Sequence, residues 1–236
     1  MRALFLLITL TIFSFGNKAK TYHWRDDSRG RLIPVRIYPQ KKDLPANHLI
    51  ILNGGYRSTP EDYDFIAKNF STSNCLVVSI QYDLEGDPVM AFTGNIYEQR
   101  LPVWKEGVKT LSYVLQKIDS LYPKYKDIKP ILIGHSNGGD IATLYTSLYP
   151  GQVEALITLD HRRMPLPRIS NPRILSLRAG EFQADSGVLP DMEEEKLYAL
   201  KIITYQQAKH GDFDNSGSKV FHQQFLKDIR NFLDFI

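Results

Sequence analysis

Short apolar runs of strand length alternate with segments of helical period along most of this 236-residue chain. That alternation constrains the fold more than any other feature. A parallel pair of strands needs a crossover of a dozen or more residues, usually a helix, and the helices then cover both faces of the sheet. Apolar runs at residues 31–38, 48–52, 76–82, 131–133, 153–159, 173–177 and 201–205 read as strands. Helical spacing is expected over 60–70, 102–121, 139–149, 192–200 and 218–236. Thr59 is the expected N-cap of the first of these, with Pro60 at its first helical position. Residues 83–100 carry two glycines and Pro88 and read as irregular. The pattern predicts an α/β fold: a single doubly wound, mostly parallel sheet of about seven or eight strands with helices on both faces. Ligands of such sheets sit beyond the carboxyl ends of the strands, so chemistry is sought there.

At one such end the chain reads Ile131-Leu-Ile-Gly-His-Ser-Asn-Gly-Gly139, with Ser136 at the centre of Gly134-x-Ser136-x-Gly138. Glycines two residues to either side allow a sharp strand-to-helix turn that lifts the hydroxyl out of the sheet. Ser136 is therefore the expected nucleophile. A serine hydroxyl needs a base, itself oriented by a carboxylate. His210 follows the last strand in a glycine- and Asx-rich loop that returns over the carboxyl edge, and is the expected base. His135, beside the serine, points to the other side of the turn and reads as a packing residue, as do His23, His48 and His222. The carboxylate is a choice among three residues at strand ends: Asp185 first, then Glu181 and Asp160. Asp212 and Asp214 stand too close to His210 and are expected to shape its loop. For the oxyanion, the backbone N–H of Asn137 is one expected donor. The loop Asn53-Gly54-Gly55-Tyr56 supplies the second, from Gly55 or, as the alternative, Tyr56.

Substrate contacts are sought in Tyr56, in Arg162 and Arg163, and in Trp104. A guanidinium could hold a substrate carboxylate or phosphate, or could pair with surface acids such as Glu193 to Glu195. Met90, Phe92, Tyr97 and Trp104 could wall an apolar acyl pocket or lie in the core.

A net charge of +3 with scattered basic residues (the longest runs are Lys41-Lys42 and Arg162-Arg163) excludes a nucleic-acid footprint. No clustered His, Cys and Asp set calls for a metal, and no cofactor is expected. Residues 1–16 place Arg2 before the apolar run from Ala3 to Phe13, with Ser14 and Gly16 at a possible cleavage site. This is the layout of a secretory signal peptide, so an exported protein, periplasmic or secreted, is expected, with no stable membrane span after cleavage. Residues 17–236 then form one domain. Cys75, the single cysteine, opens an apolar run and reads as a buried structural thiol.

The serine turn, the glycines at 54 and 55, and the order Ser136, acid, His210 resemble the α/β-hydrolase superfamily, in particular its serine esterases and lipases. Ala184-Asp-Ser-Gly-Val-Leu-Pro190 is similar to the family's acid loop, one residue longer. Asn53-Gly54-Gly55 stands where the family commonly has a His-Gly loop. Only about a dozen residues separate the strand ending near Asp160 from the next, so the family's substrate-shaping cap is expected to be reduced or absent. The resemblance implies a serine hydrolase that cleaves small-molecule carboxylic esters through an acyl-enzyme. Acyltransferase or peptidase activity on the same residues, or a non-catalytic ligand-binding protein, are the alternatives. Oligomeric state is left open.

Overall fold

The computed structural model describes residues 18–40, 48–73 and 75–234; the expected signal peptide and the Lys41-Lys42 pair lie outside them. Eight strands form one sheet: β1 (Lys20–Asp26), β2 (Arg31–Tyr38), β3 (His48–Asn53), β4 (Cys75–Ile80), β5 (Pro130–His135), β6 (Ala155–Leu159), β7 (Arg173–Ala179) and β8 (Lys201–Tyr205). Their spatial order is β1-β2-β4-β3-β5-β6-β7-β8. From β4 to β8 every neighbouring pair is parallel, and β1 and β2 add an antiparallel edge.

The helices are α1 (Asp64–Ser71), α2 (Ile96–Leu121), α3 (Ser136–Leu148), α4 (Met192–Tyr198) and α5 (Lys219–Leu233). The period of two along each strand sends alternate side chains to opposite layers. Leu49 and Ile51 of β3 join the cluster built with Trp104, Leu111 and Ile118 of α2 and Ile141 of α3. Ile50 and Leu52 join the other, with Ile66 and Phe70 of α1 and Phe225, Ile229 and Leu233 of α5. The last three recur at a spacing of four, so α5 buries one stripe and leaves the rest wet. Full burial of each such side chain contributes about 1.5–3 kcal/mol.

Three boundaries depart from the sequence pattern. The strand β1 was not foreseen: it lies at the edge of the sheet with only Trp24 and Asp26 buried, and its pairing Trp24↔Ile33 is visible only across the hairpin. The first helix starts at Asp64, not Pro60, because Thr59 to Tyr63 form successive tight turns, with the Thr59 N–H donated to Asp62 Oδ2 at 2.7 Å. Asp62 is therefore the residue that organises this entry. In the second, Asn95 accepts the Glu98 N–H and starts α2 six residues before Pro102. Proline there forfeits one intrahelical hydrogen bond. Fully buried Trp104, half a turn on, holds that stretch against the core.

Candidate active site

At the end of β5 the chain enters α3 through Ser136, whose φ is +52°. For a side chain that conformation is strained, and it is held only because the surroundings dictate it. A Cβ on Gly138 would stand 2.1 Å from Asn53 O and 2.3 Å from Gly54 O; one on Gly134 would stand 2.5 Å from Gly138 O. Gly138 lets the turn press against the end of β3, and Gly134 lets β5 and the first turn of α3 close on each other. The result is a half-exposed Ser136 at the N-terminus of α3.

His210 comes over this edge from the loop after β8. Its Nε2 lies 2.9 Å from Ser136 Oγ and its Nδ1 lies 2.5 Å from Asp160 Oδ2. A carboxylate only accepts, so Nδ1 carries the proton and Nε2 is free to accept from the serine. The loop is shaped as its Asx residues suggest: Asp212 Oδ2 accepts the Lys209 N–H, and Asp214 Oδ1 accepts the Ser216 N–H.

The carboxylate is the main correction. Asp185, the first choice from sequence, pairs with Arg163 and gives its own N–H to Arg162 O. Glu181 accepts the His210 backbone N–H at 2.9 Å, so it steadies the loop and does not reach the ring. Asp160 is the residue that meets the imidazole. It leaves β6, the strand hydrogen-bonded directly to the serine's β5, whereas Glu181 and Asp185 follow β7, one strand farther out. A φ of +48° turns Asp160 back over the edge. The side chain is fully buried, and its Oδ1 accepts the Ala179 N–H at 3.1 Å with Arg178 Nη2 also at 3.1 Å. Arg162 Nε stands 3.8 Å from Oδ2. Two guanidiniums and two hydrogen bonds offset the cost of burying this charge.

The oxyanion loop requires a second correction. Gly55 donates its N–H to Tyr63 Oη at 2.9 Å, so that group is already spent. Tyr56, the alternative, has an N–H with no acceptor among the described residues. Asn137, in the first turn of α3, has no intrahelical acceptor for its N–H either. These two backbone donors remain for a developing oxyanion.

His135 does more than pack. Its Nε2 donates to the His210 carbonyl at 3.1 Å, which leaves Nδ1 to accept the Tyr63 hydroxyl at 2.9 Å. A chain of hydrogen bonds thus runs from Gly55 through Tyr63 and His135 to the backbone of His210. Burial, followed by the neighbouring His210, pushes the His135 pKa down to about 3, so the ring stays neutral. The spacing of these residues in sequence carried no signal of the chain; only the fold assembles it.

Trp104 is fully buried and donates Nε1–H to Asn137 Oδ1 at 2.9 Å, so it braces the serine turn from beneath and does not face substrate. Met90 is also core, while Phe92 is exposed and lies edge-on to Tyr56 with ring centroids 5.9 Å apart. Arg162 lies over the exposed Phe182 ring, and it is Arg168 that pairs with Glu194. Buried Asp140 accepts the N–H groups of Arg163 and Met164, and burial lifts its pKa to about 6. It ties the 160–172 connection, which has no helix of its own, down onto α3. Cys75 is buried, and burial pushes its thiol up to about 12, which makes it inert.

No protein-family model matches the chain, and no curated protein matches it in sequence. Solved structures match it in shape. Esterase 2 of Thermogutta terrifontis, phosphorylated by paraoxon, superposes with a TM-score of 0.64 at 13% identity, over 91% of this chain and 93% of that one. The butyrate-bound form of the same esterase gives the same values. Ferulic acid esterase from Streptomyces cinnamoneus reaches a TM-score of 0.58 at 18% identity, over 84% of this chain and 76% of that one. The chain has the α/β-hydrolase fold.

Proposed function

We propose that the protein is a serine hydrolase that cleaves small-molecule carboxylic esters through an acyl-enzyme on Ser136. One observation carries this reading: His210 bridges the Ser136 hydroxyl and the buried Asp160 carboxylate. His210 Nε2 takes the Ser136 proton as Oγ attacks the ester carbonyl. The carbonyl's π electrons move to oxygen, and the N–H groups of Asn137 and Tyr56 hold the resulting oxyanion. On collapse, the alkoxide leaves with the proton from His210. Water, deprotonated by the same nitrogen, then releases the acid and restores the serine. Asp160 holds the Nδ1–H tautomer throughout and stabilises the imidazolium between the steps. Esterase 2 of Thermogutta terrifontis, phosphorylated by paraoxon or bound to butyrate, is consistent with such a site.

The test is labelling with a fluorophosphonate probe, located by mass spectrometry, beside turnover of nitrophenyl esters of graded chain length. Label on Ser136 that is lost in Ser136→Ala, with turnover lost in parallel, is expected. Label persisting at another residue refutes the assignment. Competing alcohols or amines in the same assay separate hydrolysis from acyl transfer to other acceptors. Tight ligand binding without any turnover is the result a non-catalytic protein gives.

The proposal extends to location. The charged, apolar and small-residue segments of residues 1–16 support export. N-terminal sequencing of the mature chain, expected to begin near Asn17, tests it; an intact Met1 on exported protein rules out cleavage there.

A further inference from the structure

Arg100 is linked through Phe92 to Tyr56 and, along its helix, through Trp104 to Asn137, the two residues with unspent N–H donors, and it has no acid of its own. It lies on α2, is only 8% exposed, and donates Nε–H to Ala91 O at 2.8 Å. Its guanidinium lies 5.1 Å over the Phe92 ring, and Phe92 in turn packs edge-on against Tyr56. One helical turn farther along α2, Trp104 holds the side chain of Asn137. The two Nη groups of Arg100 make no hydrogen bond or ion pair among the described residues. The acids in its surroundings are committed: Asp185 to Arg163, and Asp140 to two backbone N–H groups.

Burial, then the positive charges of Arg163 and Arg162, press on this guanidinium and lower its pKa. A nearly buried cation whose outer fork is unpaired is costly, and the cost is recovered when an anion arrives. A guanidinium presents parallel donors that match a carboxylate or a phosphate, and such charge-assisted pairs are the strong ones.

We propose that Arg100 is the anion-recognition residue of the Ser136 site, and that the preferred substrates are esters bearing a second, negatively charged group near the scissile carbonyl. The shared chemistry is an oxyanion, carboxylate or phosphate, gripped by the Arg100 fork in the field of Arg162 and Arg163. The proposal rests on the reading of Ser136 as an ester-cleaving nucleophile and adds the substrate class to it.

The experiment compares kcat/KM for nitrophenyl valerate and mono-nitrophenyl glutarate, two five-carbon acyl groups of which one ends in a carboxylate. The charged ester is expected to be favoured by about tenfold or more, from one charge-assisted pair. Arg100→Gln is expected to bring that ratio to about one, and Arg100→Lys to keep part of it. Raised salt should lower the ratio in the wild type. Arg25→Gln, an exposed charge on β1 paired with Asp27, should leave it unaltered. Glutarate and inorganic phosphate, used as competitive inhibitors of valerate hydrolysis, distinguish the two anions by which binds more tightly. Valerate turnover with a ratio of one or less, a ratio that survives Arg100→Gln, or inhibition by neither anion overturns the proposal while leaving the esterase reading intact. A wild type that cleaves neither ester overturns the esterase reading, and this proposal with it.

Discussion

Replacing Asp160 by asparagine keeps the side chain's shape and removes one charge and one acceptor. The structure fixes how the amide must lie. On the Oδ1 side stand the Ala179 N–H and Arg178 Nη2, both donors, so the amide oxygen has to face them. The NH2 group is then presented to His210 Nδ1, where the carboxylate accepts at 2.5 Å. To meet a donor, Nδ1 must lose its proton, and the neutral ring moves that proton to Nε2. In that tautomer the nitrogen facing Ser136 Oγ can no longer accept the serine's proton. The expected loss in kcat/KM is about 10³- to 10⁴-fold, or about 4–5.5 kcal/mol of transition-state stabilisation at 1.36 kcal/mol per decade.

The variant is also expected to be less stable. Arg178, almost fully buried, loses its charged partner and keeps the His161 carbonyl. A cost near 3 kcal/mol corresponds to a Tm drop of about 6–12 °C for a chain of this size. The assay is steady-state hydrolysis of a nitrophenyl ester at 25 °C, with folding of the variant confirmed by circular dichroism. Asp185→Asn and Glu181→Gln serve as comparisons, because both reside on exposed loops and neither touches the ring. Asp160→Asn within tenfold of wild type, or Asp185→Asn as the crippling change, refutes the reasoning.

Three further outcomes follow from the same geometry. Ser136→Gly should abolish turnover yet raise Tm by about 2–4 °C, since glycine relieves a φ of +52° worth about 1 kcal/mol; an unchanged or lower Tm by differential scanning calorimetry counts against strain at this turn. Tyr63→Phe strands the Gly55 N–H and His135 Nδ1 together, for a stability loss of about 2–3 kcal/mol in urea titration and a fall in kcat with little change in KM. Full activity and stability in that variant mean the Tyr63–His135 link holds nothing in place. The third concerns acid: burial, then Arg178, depresses His161 to about 3. A histidine whose folded pKa lies below its unfolded value near 6.5 binds fewer protons when folded, so stability is lost as pH falls from about 6.5 toward 3. His161→Phe should flatten that fall by about 1.4 kcal/mol per pH unit between pH 6 and 4. Parallel curves for variant and wild type from urea unfolding at several pH values contradict the assignment.

Much of the fold was legible because it is written in local periods. The runs at β3, β4, β5 and β6 are largely apolar and buried at every position but His48, the signature of strands covered on both faces, and five helices exist where spacing placed them, though α1 starts later and α2 and α3 earlier than expected. Edges were less legible. In β1 only Trp24 and Asp26 are buried, so its sequence alternates too weakly to announce a strand. The start of α2 was hidden by Pro102, a residue that ordinarily ends a helical pattern, while the capping Asn95 lay in what read as loop. At the site, Ser136 and His210 were readable from position alone, one in a turn only glycines permit and one in the loop after the last strand.

What the sequence by itself determined is the strands from β2 to β8, the layers of helices and the serine at the edge of a central strand, because periodicity and glycine sterics act over a few residues. What only the tertiary structure decided is who meets whom among groups far apart in the chain. The choice of Asp160 over Asp185 came from strand order, which sets one carboxylate beside the serine's strand and the other beyond it. The proposed choice of Tyr56 over Gly55 as oxyanion donor came from Tyr63, at the entry to α1, which takes the Gly55 N–H. Donors and acceptors are common to all these residues; distance and direction in the folded state select among them.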